Sequence, residues 1–166
     1  MSARLFVAID TPDAAAAASS ASRLLLPGLG VKLGLEFFTA NGMQGLLAVR
    51  AAGQGIPIFL DLKFHDIPNT VAGAVRSVIG MAPAFITIHA SGGKAMMEAA
   101  VKEAEKAAAS SGVARPKILA VTVLTSMDDS DLDAVGMRVP AQEQVLRLAS
   151  LAKDAGVDGI VCSAKE

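Results

Sequence analysis

Short aliphatic runs alternate with longer helix-patterned stretches along the whole chain, and this alternation constrains the fold more than any other feature. Residues 5–9, 31–33, 58–63, 85–89, 117–123 and 159–162 read as strands. Helical patterns fill the gaps at about 12–26, 36–52, 68–81, 93–110 and 141–155. Thr11 and Pro12 mark the start of the first helix as N-cap and first helical residue, and Pro68 sits in the first turn of the third. Pro27-Gly28 and Gly53-Gln54-Gly55 close the first two. Strands that alternate with helices build βαβ units and a parallel sheet. Two architectures remain, a doubly wound sheet and a (β/α)8 barrel. No Gly-x-Gly-x-x-Gly follows any strand, which counts against a dinucleotide-binding sheet. A barrel spends about 31 residues per unit, so this chain would hold about five and a half units. The expectation is an α/β chain of the (β/α)8 TIM-barrel class: one domain over residues 1–166 with six strands, short of strands seven and eight.

Composition agrees. Hydrophobic residues make up 52% of the 166, yet aromatics only 4%, with no Trp or Tyr. Aliphatic mass of this kind suits parallel strands covered on both faces. Fifteen basic against sixteen acidic residues leave a net charge of −1, which offers no footprint for nucleic acid. Despite a mean hydropathy of +0.49, the longest stretch without Asp, Glu, Lys or Arg is residues 77–93. Pro83 and His89 interrupt it, so a membrane span is not expected. The apolar run after residues 1–4 is too short for a signal segment. Cys162 is the only cysteine, which excludes a disulfide framework and suggests a small core residue. A cytoplasmic protein is expected.

The third strand carries the chemistry. In Ile58-Phe59-Leu60-Asp61-Leu62-Lys63-Phe64-His65-Asp66, the period of two puts Asp61 and Lys63 on one face and Leu60 and Leu62 on the other. Charges inside an aliphatic strand cost several kcal/mol each unless paired, and at the C-terminal end of a barrel strand they mark a site more often than a structural ion pair. Asp10 ends the first strand, Lys32 lies in the second, and Thr125 follows the fifth. With Asp66 in the loop after strand three, three acids and two bases converge on one mouth. Opposite charges favour each other's ionised forms. A lysine ammonium held there can donate a proton to carbon. A fixed carboxylate can repel an anionic substrate group and so raise the ground state relative to a transition state that loses the charge. The remaining marks read plainly. His89 is a hydrogen-bonded structural group, and His65 is solvated or at an interface. Gly92-Gly93 forms a tight turn rather than a phosphate cradle, Met96-Met97 packs a helix, and residues 128–131 form a solvated loop and helix start.

These residues also carry a resemblance. The run from Phe59 through Asp61, Lys63, Asp66 and Pro68 to Thr70 resembles the signature of the orotidine 5'-phosphate decarboxylase family. Val7-Ala8-Ile9-Asp10, Val31-Lys32-Leu33-Gly34, His89-Ala90-Ser91-Gly92-Gly93 and Val121-Thr122-Val123-Leu124-Thr125-Ser126 resemble further blocks of its bacterial members, in the family's order. The resemblance implies that Lys63 protonates C6 of the pyrimidine as carbon dioxide leaves, and that Asp61 sits beside the substrate carboxylate and destabilises it. It implies that Lys32 joins the charged network at the ribose, that Asp10 binds the nucleoside, and that Thr125 contacts substrate. Asp66, Ile67 and Thr70 are implied to reach the site of a neighbouring subunit, which makes a homodimer part of the catalyst. The implied ligands are orotidine 5'-phosphate and UMP, with no metal or organic cofactor. Family members continue through strands seven and eight, whose loops grip phosphate and base, so this chain alone is expected to turn over poorly or not at all. Two other readings stand beside this one. Magnesium-dependent sugar-phosphate relatives share Asp-x-Lys-x-x-Asp but place a metal-binding carboxylate on strand two; here that strand carries Lys32, and a hard cation wants oxygen donors. A shortened, non-catalytic chain that only associates is the other.

Overall fold

A computed structural model describes residues 5–163. Residues 1–4, the approach to the first strand, and 164–166 lie outside the described residues. Strands β1 (Leu5–Ala8), β2 (Leu29–Gly34), β3 (Ile58–Phe64), β4 (Phe85–His89), β5 (Lys117–Val121) and β6 (Gly159–Val161) form one parallel sheet whose spatial order follows chain order. Helices α1 (Ala14–Ser22), α2 (Leu35–Ala52), α3 (Pro68–Ile79) and α4 (Lys94–Ser111) make the first four crossovers; α5 (Asp129–Ala134) and α6 (Ala141–Asp154) share the fifth. A doubly wound sheet reverses its strand order at a switch point. This one never reverses, so right-handed crossovers place every helix on the same face and the twisted strands curl into a partial barrel. The barrel expectation is met, with six strands among the described residues.

The two faces of the sheet differ in kind. Val31, Leu33, Ile58, Leu60, Ile86, Ile88, Ile118 and Ala120 point at the helices and are buried. Their partners are Ala17 and Ala21 of α1, Phe37, Leu46 and Val49 of α2, Val71, Val75 and Val78 of α3, and the alanine row of α4. The opposite face carries Phe6, Phe59 and Phe85, three of the chain's six phenylalanines, with centroids 5.3–5.6 Å apart; Phe6 meets both partners edge to face, and Phe59 and Phe85 are tilted by 44°. Phe6 reaches its partners only because Gly30 lies opposite it in register. A Cβ at Gly30 would stand 2.4 Å from the Phe6 ring. This aromatic floor lies toward the N-terminal ends of the strands, and the polar residues sit toward the C-terminal ends.

Several local expectations need correction. The cap of α1 is Asp13 rather than Thr11: the carboxylate accepts from the N–H groups of Ala15 and Ala16, while the Thr11 hydroxyl accepts from Asp13. The same helix stops at Ser22 rather than running to 26, where Ser20 and Ser22 hydroxyls bond back to Ala16 and Ser19 carbonyls. A continuous second helix was expected, but Gly42 breaks α2 with φ 54° and ψ −148°. There the Asn41 amide donates to the Pro12 and Phe37 carbonyls and ties the break to the β1–α1 loop. The acidic run at 128–131 does start a helix, α5, through a reciprocal capping box between Asp128 and Asp131. The Ser130 hydroxyl, then the Asp131 and Ser130 N–H groups, hold the Asp128 carboxyl below its ordinary value. Cys162 is exposed rather than in the core, because it lies just past the end of edge strand β6.

Candidate active site

The sheet's polar side gathers four of the expected residues at the C-terminal ends of β1–β3. The Lys63 ammonium lies 2.8 Å from Asp61 Oδ2, and Lys32 Nζ lies 4.0 Å from the same oxygen and 3.4 Å from Asp10 Oδ1. Asp61 is the most enclosed, with 14% of its side chain exposed. The charges therefore alternate, Asp10–Lys32–Asp61–Lys63, along one wall of a cleft of about 230 Å³ that Ile9, Gly34, Leu35 and Phe37 also line. A lone carboxylate this enclosed would be costly; two ammonium groups at close range offset that cost.

Local geometry explains how Lys63 joins its neighbour. Pairing between β3 and β4 shifts between Leu60 and Phe64, and Lys63 adopts φ 49°, a left-handed conformation that few side-chain-bearing residues occupy. The irregular strand leaves the Lys63 N–H without a ladder carbonyl. Thr87 Oγ1 of β4 accepts it at 2.9 Å and donates at 2.8 Å to Asp61 Oδ1. Thr87 was absent from the expected set. The same period of two that singled out Asp61 and Lys63 also places Thr87, two residues before His89, on the polar side of β4.

The other expected residues stand apart. Asp66 lies beyond β3 and accepts from the Ile67 N–H at 2.6 Å. Ile67 is the N-cap of α3, Thr70 lies in its first turn, and Asp66, Ile67 and Thr70 are all exposed. Thr125 is exposed in the turn after β5. None of the four lines the cleft. His89 packs its ring against that of exposed His65, centroids 5.2 Å apart. Gly92-Gly93 forms the expected turn, since Ala90–Gly92 is a single 3-10 turn leading into α4. Met96 and Met97 are buried helix-packing residues, as expected. Among the described residues, no group of three or more His, Cys, Asp or Glu is arranged to hold a metal ion. Nor is any described helix long and apolar enough to cross a membrane.

Burial, then His65, then Lys63 push the His89 pKa below the ordinary histidine value; Asp61 pulls weakly the other way. With the folded value depressed, the unfolded chain binds the extra proton first. Stability from this group is then complete above about pH 6.5 and is lost as pH falls toward the folded value. Thermal melts at about pH 8 and about pH 5.5 should show a smaller acid loss in His89→Gln than in the parent. Equal losses would remove His89 from the account.

Comparison with known proteins now bears on this geometry. Residues 3–166 match the sequence profile of the family described as "Orotidine 5'-phosphate decarboxylase / HUMPS family". The chain is 56% identical over 162 residues to an orotidine 5'-phosphate decarboxylase of Rhodospirillum rubrum, covering 98% of this chain and 65% of that one. A Paramagnetospirillum magneticum protein of the same name is 54% identical, with 98% and 68% covered. The chain thus spans about two thirds of the length of these curated relatives. The crystal structure of orotidine 5'-phosphate decarboxylase from Lactobacillus acidophilus superimposes with a TM-score of 0.84 at 37% identity, covering 96% of this chain and 70% of that one.

Proposed function

The chain belongs to the orotidine 5'-phosphate decarboxylase / HUMPS family, and from that premise we propose that its cleft converts orotidine 5'-phosphate to UMP and carbon dioxide. The observation that carries the reading is the Lys63–Asp61 pair, 2.8 Å apart, with Lys32 on the same carboxylate. Relatives at 54–56% identity bear the decarboxylase name.

In this reading the substrate carboxylate enters beside Asp61, and two anions share one enclosed space. Loss of carbon dioxide relieves that repulsion, so Asp61 favours the transition state over the ground state. The C6–carboxyl bond breaks, its electron pair stays on C6, and the Lys63 ammonium gives that carbon its proton. The neutral amine left behind regains a proton from solvent. Lys32 balances Asp61 and Asp10, and with Asp10 it faces the ribose. Thr125 contacts the substrate from the turn after β5.

Asp66, Ile67 and Thr70 complete the site of a second copy of the chain. Support comes from their outward position, and from Ile67, an apolar side chain 66% exposed. Sedimentation as a monomer at micromolar concentration would remove the shared-site part of this reading. The chain forms part of one barrel domain and acts in the cytoplasm, in pyrimidine synthesis.

The direct test is the loss of orotidine 5'-phosphate absorbance, with UMP as the product, using the 166-residue chain. Turnover is expected to be unchanged by a chelator, because Lys32 supplies a positive charge where a magnesium-dependent relative needs an oxygen ligand. A rate lost on chelation and restored by magnesium would favour the sugar-phosphate branch. No turnover would overturn the reading for this chain.

A further inference from the structure

Thr87 does not itself line the cleft, yet it bonds to both reacting groups that do. It is fully buried in β4. Its hydroxyl has one proton and two lone pairs. Because Oγ1 already accepts the Lys63 N–H at 2.9 Å, its proton is committed to Asp61 Oδ1 at 2.8 Å. One side chain therefore fixes the backbone of the lysine and the carboxylate of the aspartate.

The backbone bond matters because of where it falls. Lys63 lies within the register shift of β3 and carries a positive φ, so the ordinary ladder does not hold it. A strained conformation of this kind persists only where its surroundings over-determine it. The second bond matters for a different reason. With Oδ1 occupied by the hydroxyl, Oδ2 is left to face Lys63 and Lys32. A side chain lacking the hydroxyl would free Asp61 to rotate and Lys63 to relax toward a regular strand, which would carry its ammonium away from the carboxylate.

Resting on the decarboxylase reading for its kinetic consequence, we infer that Thr87 is a positioning residue that holds Asp61 and Lys63 in their reactive geometry through the irregular turn of β3. It acts through those two groups and makes no contact with substrate.

Thr87→Val keeps the shape and removes the hydroxyl; Thr87→Ser keeps the hydroxyl and removes a methyl group. In the 166-residue chain, Thr87→Val is expected to lower kcat by about tenfold to a hundredfold, the scale of a misplacement of ~1 Å. KM should stay within about threefold, since no binding contact is lost. Thr87→Ser should recover most of kcat. Independently of turnover, hydrogen exchange at the Lys63 amide should quicken by about tenfold or more in Thr87→Val, with Ile86 and Ile118 amides unchanged and Thr87→Ser like the parent. Unchanged Lys63 exchange in Thr87→Val overturns the inference, as does equal impairment of the Val and Ser variants, which would mark a packing role. If the parent chain shows no turnover, the decarboxylase reading fails and the exchange measurement alone decides the role of Thr87.

Discussion

Lys63→Ala is expected to reduce turnover of orotidine 5'-phosphate by about a thousandfold or more, since loss of a positioned proton donor alone removes about 10²–10⁴. In the folded chain the Lys63 ammonium is the closest cation to Asp61, at 2.8 Å against 4.0 Å for Lys32. Its removal takes away both the proton for C6 and the nearer counter-charge. Binding of UMP, which needs no proton transfer, should weaken by no more than about tenfold. Lys63→Arg separates the two roles: the guanidinium keeps the charge but gives up no proton near neutral pH. It should therefore be nearly as impaired as the alanine variant. A Lys63→Ala chain that retains a tenth or more of parental turnover would rule out Lys63 as the donor.

Asp61→Asn should lower kcat without raising KM. The amide oxygen can still accept from Thr87, so the local hydrogen bond survives while the negative charge goes. With no anion to repel the substrate carboxylate, orotidine 5'-phosphate should bind at least as tightly as before. The gain on losing carbon dioxide disappears with the repulsion, and kcat is expected to fall by about a hundredfold or more. A fall in kcat together with a lower KM is the signature of lost ground-state strain. UMP, which lacks the carboxylate, provides the control: its affinity should move little. If Asp61→Asn instead raises KM for the substrate and leaves kcat intact, Asp61 serves binding rather than destabilisation.

The architecture was legible because burial on two faces writes long aliphatic runs into parallel strands, and because proline and glycine punctuate helix ends. Pro68 and the Gly53-Gln54-Gly55 turn mark boundaries that the fold respects. Where two polar groups compete for one cap, type alone does not decide, and at α1 the charged Asp13 displaced Thr11. The break at Gly42 carried an Asn-Gly signal, but the helical period on either side masked it. Asp61, Lys63, Lys32 and Asp10 stood out because charge is conspicuous in an apolar strand. Thr87 did not, since threonine is at home in any strand. Its importance comes from a register shift in the neighbouring strand that no local pattern reports.

The strictly sequential strand order also bears on how the chain acquires its shape. Each strand pairs only with those before and after it, so paired residues lie from 24 positions apart, as in Leu5 with Leu29, to 40, as in Leu119 with Gly159. Among the described strands none waits for a distant one, and loop-closure entropy is met in modest, similar increments. During synthesis from the N-terminus each hairpin-sized βα unit can dock on the edge just completed. The strands β1–β3, which carry Lys32, Asp61 and Lys63 and lead into Asp10, are the first to emerge, so the charged wall can assemble before β5 and β6 are made.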